Sequence, residues 1–190
     1  MNPFWISMAV VAAAEFGDKT QFLALLFGAR FKRPVPILLG ILASTAVNHT
    51  LVSLIGVWLS SHIDGMVLRW VLGILFLAVA VWTLRLDKLD KAEVPAGSFK
   101  GFGAFATTFL TFFVAEMGDK TQLATIALAV KFNTLLPVIA GTTLGVMLVN
   151  GPVVLIGDAV SSRVPVHIVR YIAAAVFGCL GILAISGVSF

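Results

Sequence analysis

Long apolar runs, separated by short clusters of proline, glycine and charged residues, extend over nearly the whole chain. A helix that crosses a bilayer needs about 20 consecutive residues that are mostly apolar. The short alternating segments typical of membrane β-barrels are absent from the sequence, which favours helices. Six stretches are long enough, at residues 3–29, 35–59, 66–86, 102–130, 134–157 and 166–188. The pattern therefore predicts an all-α integral membrane protein with six transmembrane helices.

The composition supports the same fold class. Hydrophobic residues make up 59% of the 190 residues and charged residues only 12%, whereas about a quarter of the residues in a typical soluble domain are charged. The mean hydropathy is +1.05. These values exclude an ordinary water-soluble domain, so the lipid bilayer is the predicted partner of most of the surface. Cys179 is the one cysteine, which excludes an intrachain disulfide.

Lysine and arginine are distributed unevenly over the predicted loops. Nine of the 13 lie on one side of the predicted membrane, while Arg69 and Lys131 lie on the other side. Because basic loops face the cytoplasm, this bias predicts that both termini face outward, into the periplasm if the membrane is a bacterial inner membrane. The net charge of +4 then reflects topology and does not indicate a nucleic-acid partner. The nine residues are Arg30, Lys32, Arg33, Arg85, Lys88, Lys91, Lys100, Arg163 and Arg170.

A charged six-residue motif occurs twice inside the apolar runs, as EFGDKT at residues 15–20 and EMGDKT at residues 116–121. A shift of 101 residues, from 15 to 116, aligns residues 15–76 with 116–177 without a gap. The aligned segments share 17 identities in 62 positions. The chain is therefore an internal duplication of one unit.

Each copy of the unit contains three predicted helices, and this odd number turns the second copy upside down in the membrane. The predicted domains are a first repeat at residues 1–86, a cytoplasmic linker at 87–101 and a second repeat at 102–190. Inverted repeats are characteristic of secondary transporters, whose substrate sites lie near the midplane between the repeats.

Four carboxylates fall near the middle of predicted helices 1 and 4, namely Glu15, Asp18, Glu116 and Asp119. Residues at positions i and i+3 share one face of a helix, so each pair is expected to point the same way. A charged side chain at the bilayer centre costs about 2.5 to 3.5 kcal/mol even on lenient scales, which makes these acids functional candidates. The alternative is that glutamate and lysine at i and i+4 form bridges that only hold helices together.

The residues around the acids indicate the class of cation. Neither motif contains cysteine or histidine, and carboxylates with neighbouring hydroxyl and amide oxygens suit hard cations such as Ca²⁺, Mg²⁺ or Mn²⁺. With all groups ionised the two motifs sum to a charge of −2, which balances one divalent cation or two protons. This balance favours exchange of metal for protons. The supporting residues are Lys19, Thr20, Gln21, Lys120, Thr121 and Gln122.

The motif lysines and glycines have supporting roles in this interpretation. Lys19 and Lys120 are expected to balance the charge of the acids or to maintain contacts between helices, and not to contact the metal. Gly17 and Gly118 permit either a local helix break or a close approach between helices, and the sequence favours neither.

Three further polar residues lie at mid-membrane depth, at Asn48, His49 and Asn150, and Asn150 aligns with His49 in the repeat. An amide carbonyl of either asparagine could complete the shell of a metal, or the amides could hydrogen-bond between helices. His49 fits a packing role better than a ligand role.

Two copies of E-x-G-D-[KR]-[TS], each opening a three-helix half, resemble the signature of the Gdt family of calcium/manganese:proton antiporters, which includes small bacterial manganese exporters of the MneA type. The likeness covers essentially the whole chain, and both motif copies are intact. It implies cation antiport, with Glu15, Asp18, Glu116 and Asp119 as the metal-binding acids. The preference for Mn²⁺, with Ca²⁺ as the other candidate, comes from the resemblance. No cofactor is predicted, since the metal is the transported substrate.

Two other function classes fit parts of the pattern. A cation channel would share the ring of acids without coupling to protons. An intramembrane enzyme acting on lipid-linked phosphate would need an arginine or histidine cluster for the phosphate, and the motifs supply only two lysines. The sequence therefore predicts a transporter and not an enzyme.

Overall fold

The computed structural model describes residues 2–85, 103–156 and 166–187. These residues form helices and no strands. The all-α prediction is thus confirmed for the described part of the chain, whereas the predicted linker at 87–101 lies outside it. The helices are α1 (Pro3–Glu15), α2 (Lys19–Phe31), α3 (Pro34–His62), α4 (Gly65–Thr83), α5 (Ala104–Glu116), α6 (Lys120–Phe132), α7 (Leu136–Ile156) and α8 (Val166–Ser186).

Four of these helices are long and apolar enough to cross a membrane, namely α3, α4, α7 and α8. They correspond to the predicted spans at 35–59, 66–86, 134–157 and 166–188. Helices α1 and α5 are also apolar but contain only 13 residues each, which is shorter than a typical span of about 20 residues. The architecture is that of a helical membrane protein.

The predicted spans at 3–29 and 102–130 are not continuous helices, because each is broken at its charged motif, as the sequence had left open. Helix α1 ends at Glu15 and α2 begins at Lys19, and the second copy breaks at the equivalent place. Gly17 and Gly118 have φ angles of 71° and 73°, a left-handed conformation that glycine adopts without steric cost. The expectation that each pair of acids shares one helix face therefore does not hold, since no helix runs between them.

Two glycines that are 101 residues apart, Gly40 and Gly141, make close contacts at corresponding positions. A Cβ added to Gly40 of α3 would lie 2.8 Å from Cβ of Thr108 and 2.9 Å from the Phe105 carbonyl of α5. A Cβ added to Gly141 of α7, which is 101 residues later, would lie 3.0 Å from Cβ of Ser7 in α1. Ser7 is likewise 101 residues before Thr108. Glycine thus lets the long helix of each half approach the first helix of the other half closely.

Helices α4 and α8 are joined by two reciprocal hydrogen bonds. Arg69, near the start of α4, donates from Nη2 to the carbonyl of Ile185 at 2.8 Å. Arg170, near the start of α8, donates from Nε to the carbonyl of Thr83 at 3.1 Å. Each arginine satisfies a carbonyl that the end of the other helix leaves without an intrahelical donor. The two helices therefore run antiparallel as a pair.

Candidate cation site

The two helix breaks have the same local construction. In the first, the amide of Asp18 donates to the Glu15 carbonyl at 3.1 Å, and the amide of Gly17 donates to Oε1 of Gln21 at 3.2 Å. In the second, Asp119 donates to the Glu116 carbonyl at 3.2 Å, and the amide of Gly118 donates to Gln122 Oε1 at 2.9 Å. Each glutamate therefore ends a helix, each aspartate occupies the N-cap of the next, and each glutamine closes the turn between them.

Glu15 is buried, with 1% of its surface exposed, and interacts with both halves of the chain. Its Oε1 accepts a hydrogen bond from the hydroxyl of Thr20 and a second one, of 2.9 Å, from Nδ2 of Asn150 on α7. Its Oε2 is buried and has no hydrogen-bond partner among the described residues. One oxygen of this carboxylate is thus hydrogen-bonded, whereas the other is an acceptor without a donor among the described residues.

Glu116 is equally buried, but both of its oxygens are hydrogen-bonded from α3. Thr45 donates from Oγ1 to Oε1 at 2.7 Å, and Asn48 donates from Nδ2 to Oε2 at 3.2 Å. Sequence reasoning missed Thr45. The sequence feature that could have identified Thr45 is its position three residues before Asn48, which places both side chains on one face of α3.

Asp18 forms a buried ion pair with Lys120 from the other half of the chain, and Nζ lies 2.7 Å from Oδ1. Asp18 Oδ2 also accepts from the Thr20 hydroxyl at 3.3 Å. Asp119 accepts from the amide and the hydroxyl of Thr121, at 3.3 and 3.1 Å. Glu116 and Lys120, which the sequence placed one turn apart on a single helix, lie on either side of the break between α5 and α6.

The four motif acids lie close enough to influence one another, and Glu15 interacts electrostatically with Asp18, Glu116 and Asp119. Within residues 2–85, 103–156 and 166–187, however, no three side chains of the His, Cys, Asp and Glu types come together as a metal cluster. The acids by themselves do not form a closed cage. A cation here would also need amide, hydroxyl or backbone oxygens, which hard cations accept.

The three polar residues that were predicted at mid-membrane depth differ in their hydrogen bonds. Asn48 and Asn150 both hydrogen-bond to a motif glutamate of the opposite half. His49 is fully buried on α3, and its ring nitrogens have no hydrogen-bond partner in the described part of the chain. The two amides therefore belong to the surroundings of the acids, whereas no hydrogen bond connects His49 to them.

Comparison with known proteins identifies the family. The sequence model of a family described as "Divalent cation/proton antiporter GDT1" matches residues 3–91 and 104–188. The chain belongs to the GDT1 family. The two matched segments of this GDT1 protein begin close to the starts of α1 and α5, so each carries one charged motif.

Relatives of this GDT1 protein cover most of its length. A Vibrio cholerae protein described as "Putative manganese exporter" is 43% identical over 178 residues, which are 93% of this chain and 87% of that protein. A GDT1-like protein of Synechocystis is 29% identical over 195 residues, 93% of each chain. A chloroplastic GDT1-like protein of rice is 28% identical over 203 residues, 92% of this chain and 59% of the relative. No solved structure matches.

Family membership settles the class of function. The GDT1 protein is a multi-pass membrane protein that transports cations, and it is not an enzyme. The resemblance predicted from the two motifs is confirmed. The hypothesis of an intramembrane enzyme acting on lipid-linked phosphate is accordingly dropped.

Proposed function

We propose that this GDT1 protein exports a hard divalent cation, in the first place Mn²⁺ and in the second place Ca²⁺, in exchange for protons. The observation that carries the proposal is the pair of buried glutamates, Glu15 and Glu116. Each ends a broken helix and accepts a hydrogen bond from an amide of the opposite half. Broken helices that meet between two repeats are the usual construction of ion sites in secondary transporters.

The donor atoms around the breaks support a hard cation. Carboxylate, hydroxyl and amide oxygens surround the site, and its hydrogen-bonded groups include no cysteine or histidine among the described residues. Such a set favours Mg²⁺, Ca²⁺ and Mn²⁺ over softer metals. The choice of Mn²⁺ rests on the Vibrio cholerae relative, whose description is "Putative manganese exporter".

The charge balance of the two motifs supports exchange with protons. Four carboxylates and two lysines sum to −2 when all are ionised. One divalent cation or two protons neutralise this charge, so protons can replace the metal at the same oxygens. Alternate occupation of one site by two substrates couples their movements as long as the empty site does not change its access from one side of the membrane to the other.

The topology in this proposal has six crossings, in which α1 with α2 and α5 with α6 each cross the membrane jointly. Two features support it: the broken pairs have equivalent bounds in both halves, and the packing of Gly40 and Gly141 repeats with the same 101-residue offset. The unequal distribution of Lys and Arg supports an orientation with both termini outside. The membrane would be the inner membrane of a bacterium, and the cation site would lie near its midplane.

Reconstitution into liposomes tests this function. Purified protein is placed in vesicles that contain a pH-sensitive dye, and a Mn²⁺ gradient is applied in the absence of a pH gradient. We expect Mn²⁺ movement together with opposite proton movement, in the wild type but not in the double variant Glu15→Gln/Glu116→Gln. Metal flux without proton movement would instead identify a cation channel, and vesicles that carry neither flux would overturn the proposal.

A further inference from the structure

The two halves differ in how their buried glutamates are hydrogen-bonded. Both oxygens of Glu116 accept bonds, from Thr45 and Asn48. Glu15 uses only Oε1 as an acceptor, and its Oε2 is buried without a hydrogen-bond partner in the described residues. The internal duplication is therefore not chemically symmetric at its centre.

The amide of Asn150, which binds Glu15, is also only partly hydrogen-bonded. Its Nδ2 donates to Glu15 Oε1 at 2.9 Å and to the carbonyl of Val146 at 3.2 Å. A flipped amide would turn its oxygen toward these two acceptors, so the hydrogen bonds fix which atom is nitrogen. Oδ1 consequently points elsewhere, and it is buried with no hydrogen-bond partner among residues that the structure describes.

Asn48 is the corresponding amide at the other glutamate, and its hydrogen bonds are complete. Its Nδ2 donates to Glu116 Oε2 and to the carbonyl of Phe113 at 3.1 Å. Its Oδ1 accepts from Nε2 of Gln122 at 3.4 Å. The two asparagines occupy positions one residue apart in the repeat alignment, since Asn150 aligns with His49. The difference between the two halves therefore originates in the sequence.

Two bare oxygens on adjacent buried groups are costly in a folded protein. A buried acceptor without a donor destabilises the folded state, because it loses its hydrogen bonds to water and gains none in the protein. A carboxylate oxygen together with an amide oxygen is a combination that hard divalent cations bind directly. A hydrogen bond of 2.9 Å joins Glu15 and Asn150, so the two unpartnered oxygens belong to neighbouring side chains.

We propose that the transported cation binds in the first half of the site, with Glu15 Oε2 and Asn150 Oδ1 as direct ligands. Glu116, whose oxygens are already engaged, is the partner acid of this half-site rather than the first contact of the metal. This inference rests on the proposed function and assigns its ligands. Asn150 then binds the cation, whereas Asn48 only positions Glu116.

A cysteine at each asparagine position tests direct coordination. In a Cys179→Ser background, Asn150→Cys places a thiol where we locate a ligand, and Asn48→Cys is the matched control. We expect Cd²⁺ to produce the ultraviolet charge-transfer band of a metal–thiolate bond with Asn150→Cys and not with Asn48→Cys. A missing band in a folded Asn150→Cys protein, or an equal band in both variants, would overturn the assignment.

Calorimetry of Mn²⁺ binding separates a ligand from a hydrogen-bond donor and does not depend on the cysteine variant. Asn150→Ala removes both the oxygen and the NH₂ group, and we expect affinity to fall by more than the roughly 10- to 100-fold that is typical when an outer-shell partner of a ligand is lost. Asn150→Asp keeps an oxygen but loses the donor, so we expect it to bind Mn²⁺ nearly as well as the wild type above neutral pH. Equal losses in both variants would show that only the donor matters.

The wild-type protein distinguishes failure of the inference from failure of the proposed function. If wild type exchanges Mn²⁺ for protons while Asn150→Ala binds Mn²⁺ normally, the ligand assignment is wrong and the function stands. If wild type neither binds nor moves a divalent cation, both are wrong.

Discussion

Lys120 Nζ lies 2.7 Å from Asp18 Oδ1, although the two residues are 102 positions apart in the chain. The lysine is 1% exposed and the aspartate is not exposed at all. Each belongs to a different copy of the motif, so this buried ion pair joins the two helix breaks. Neither motif copy is therefore complete without the other half of the protein.

Removal of the Lys120 ammonium should strongly destabilise the protein. Breaking a buried pair from one side costs about 3 to 5 kcal/mol, because the remaining charge stays desolvated. We expect Lys120→Met to lower the midpoint of thermal unfolding in detergent. Lys19 is only half-buried, so Lys19→Met should be milder. The double variant Asp18→Asn/Lys120→Met should recover part of the loss, and a single variant as stable as wild type would contradict the assigned pair.

Neutralising either central glutamate should stop transport without preventing folding. Glu15→Gln and Glu116→Gln keep the size of the side chain but remove a charge that the cation needs. We expect Mn²⁺ flux in proteoliposomes to fall to the background of empty vesicles. Asp64→Asn is the matched control, because Asp64 is an exposed N-cap of α4 and asparagine caps equally well. Near-normal flux in either glutamine variant would remove that glutamate from the site.

The sequence predicted the helical class and the motif acids, but it did not predict the helix breaks. Hydropathy remains high on both sides of Gly17 and Gly118, and a glycine inside an apolar run serves equally for close packing or for a left-handed turn. The left-handed φ angles of Gly17 and Gly118 show that each glycine forms a turn. The prediction that Glu15 and Asp18 point the same way rested on a continuous helix, whereas in the structure both carboxylates accept from the hydroxyl of Thr20 across the break.

The contacts between the halves could be predicted only in part. The internal repeat predicted that the two motifs meet, and polar residues inside apolar runs pointed to Asn48 and Asn150. Whether an asparagine can also bind a cation depends on whether its amide oxygen is already hydrogen-bonded, and that is a property of packing. Thr45 was not predicted, because threonine is common in membrane helices, where its hydroxyl usually bonds to a backbone carbonyl of the same helix.

Alanine at Gly118 should destabilise the protein through backbone strain alone. The φ angle of 73° is left-handed, and a Cβ there meets nothing within 4 Å in the described part of the chain. The expected cost is about 1 to 2 kcal/mol. Gly178 in α8 also has open space around an added Cβ, but it is helical, so Gly178→Ala should be neutral or stabilising. Thermal unfolding of both variants in one detergent checks this, and equal midpoints would contradict the strain.

The inverted topology predicts that Ser98 and Phe190 face opposite sides of the membrane. Both residues lie outside the described residues, and three predicted crossings separate them in the chain. Cysteines introduced there in a Cys179→Ser background should react with an impermeant thiol reagent from opposite sides, with Ser98→Cys reacting from the cytoplasm. Labelling of both positions from the same side would refute the inverted repeat.

Binding of Mn²⁺ should release protons if both substrates compete for the same oxygens. A protonated carboxylate cannot bind metal, so lowering the pH should weaken Mn²⁺ affinity and raise the number of protons released. For exchange of one metal against two protons, we expect the number to approach about two at a pH where the empty site carries both protons. The number should fall toward zero at higher pH, where the empty site is already ionised. Calorimetry in buffers of different ionisation enthalpy measures this number directly.

The variant Glu15→Gln supplies the control for this measurement in the pH range where it still binds metal. Loss of one titrating carboxylate should reduce the release by about one proton, whereas Asp64→Asn should leave it unchanged. A release of zero from acid to alkaline pH, with an affinity that does not depend on pH, would exclude competition at Glu15, Asp18, Glu116 and Asp119. Coupling through a shared site would then be wrong, and transport of the cation without protons would become the better explanation of these buried acids.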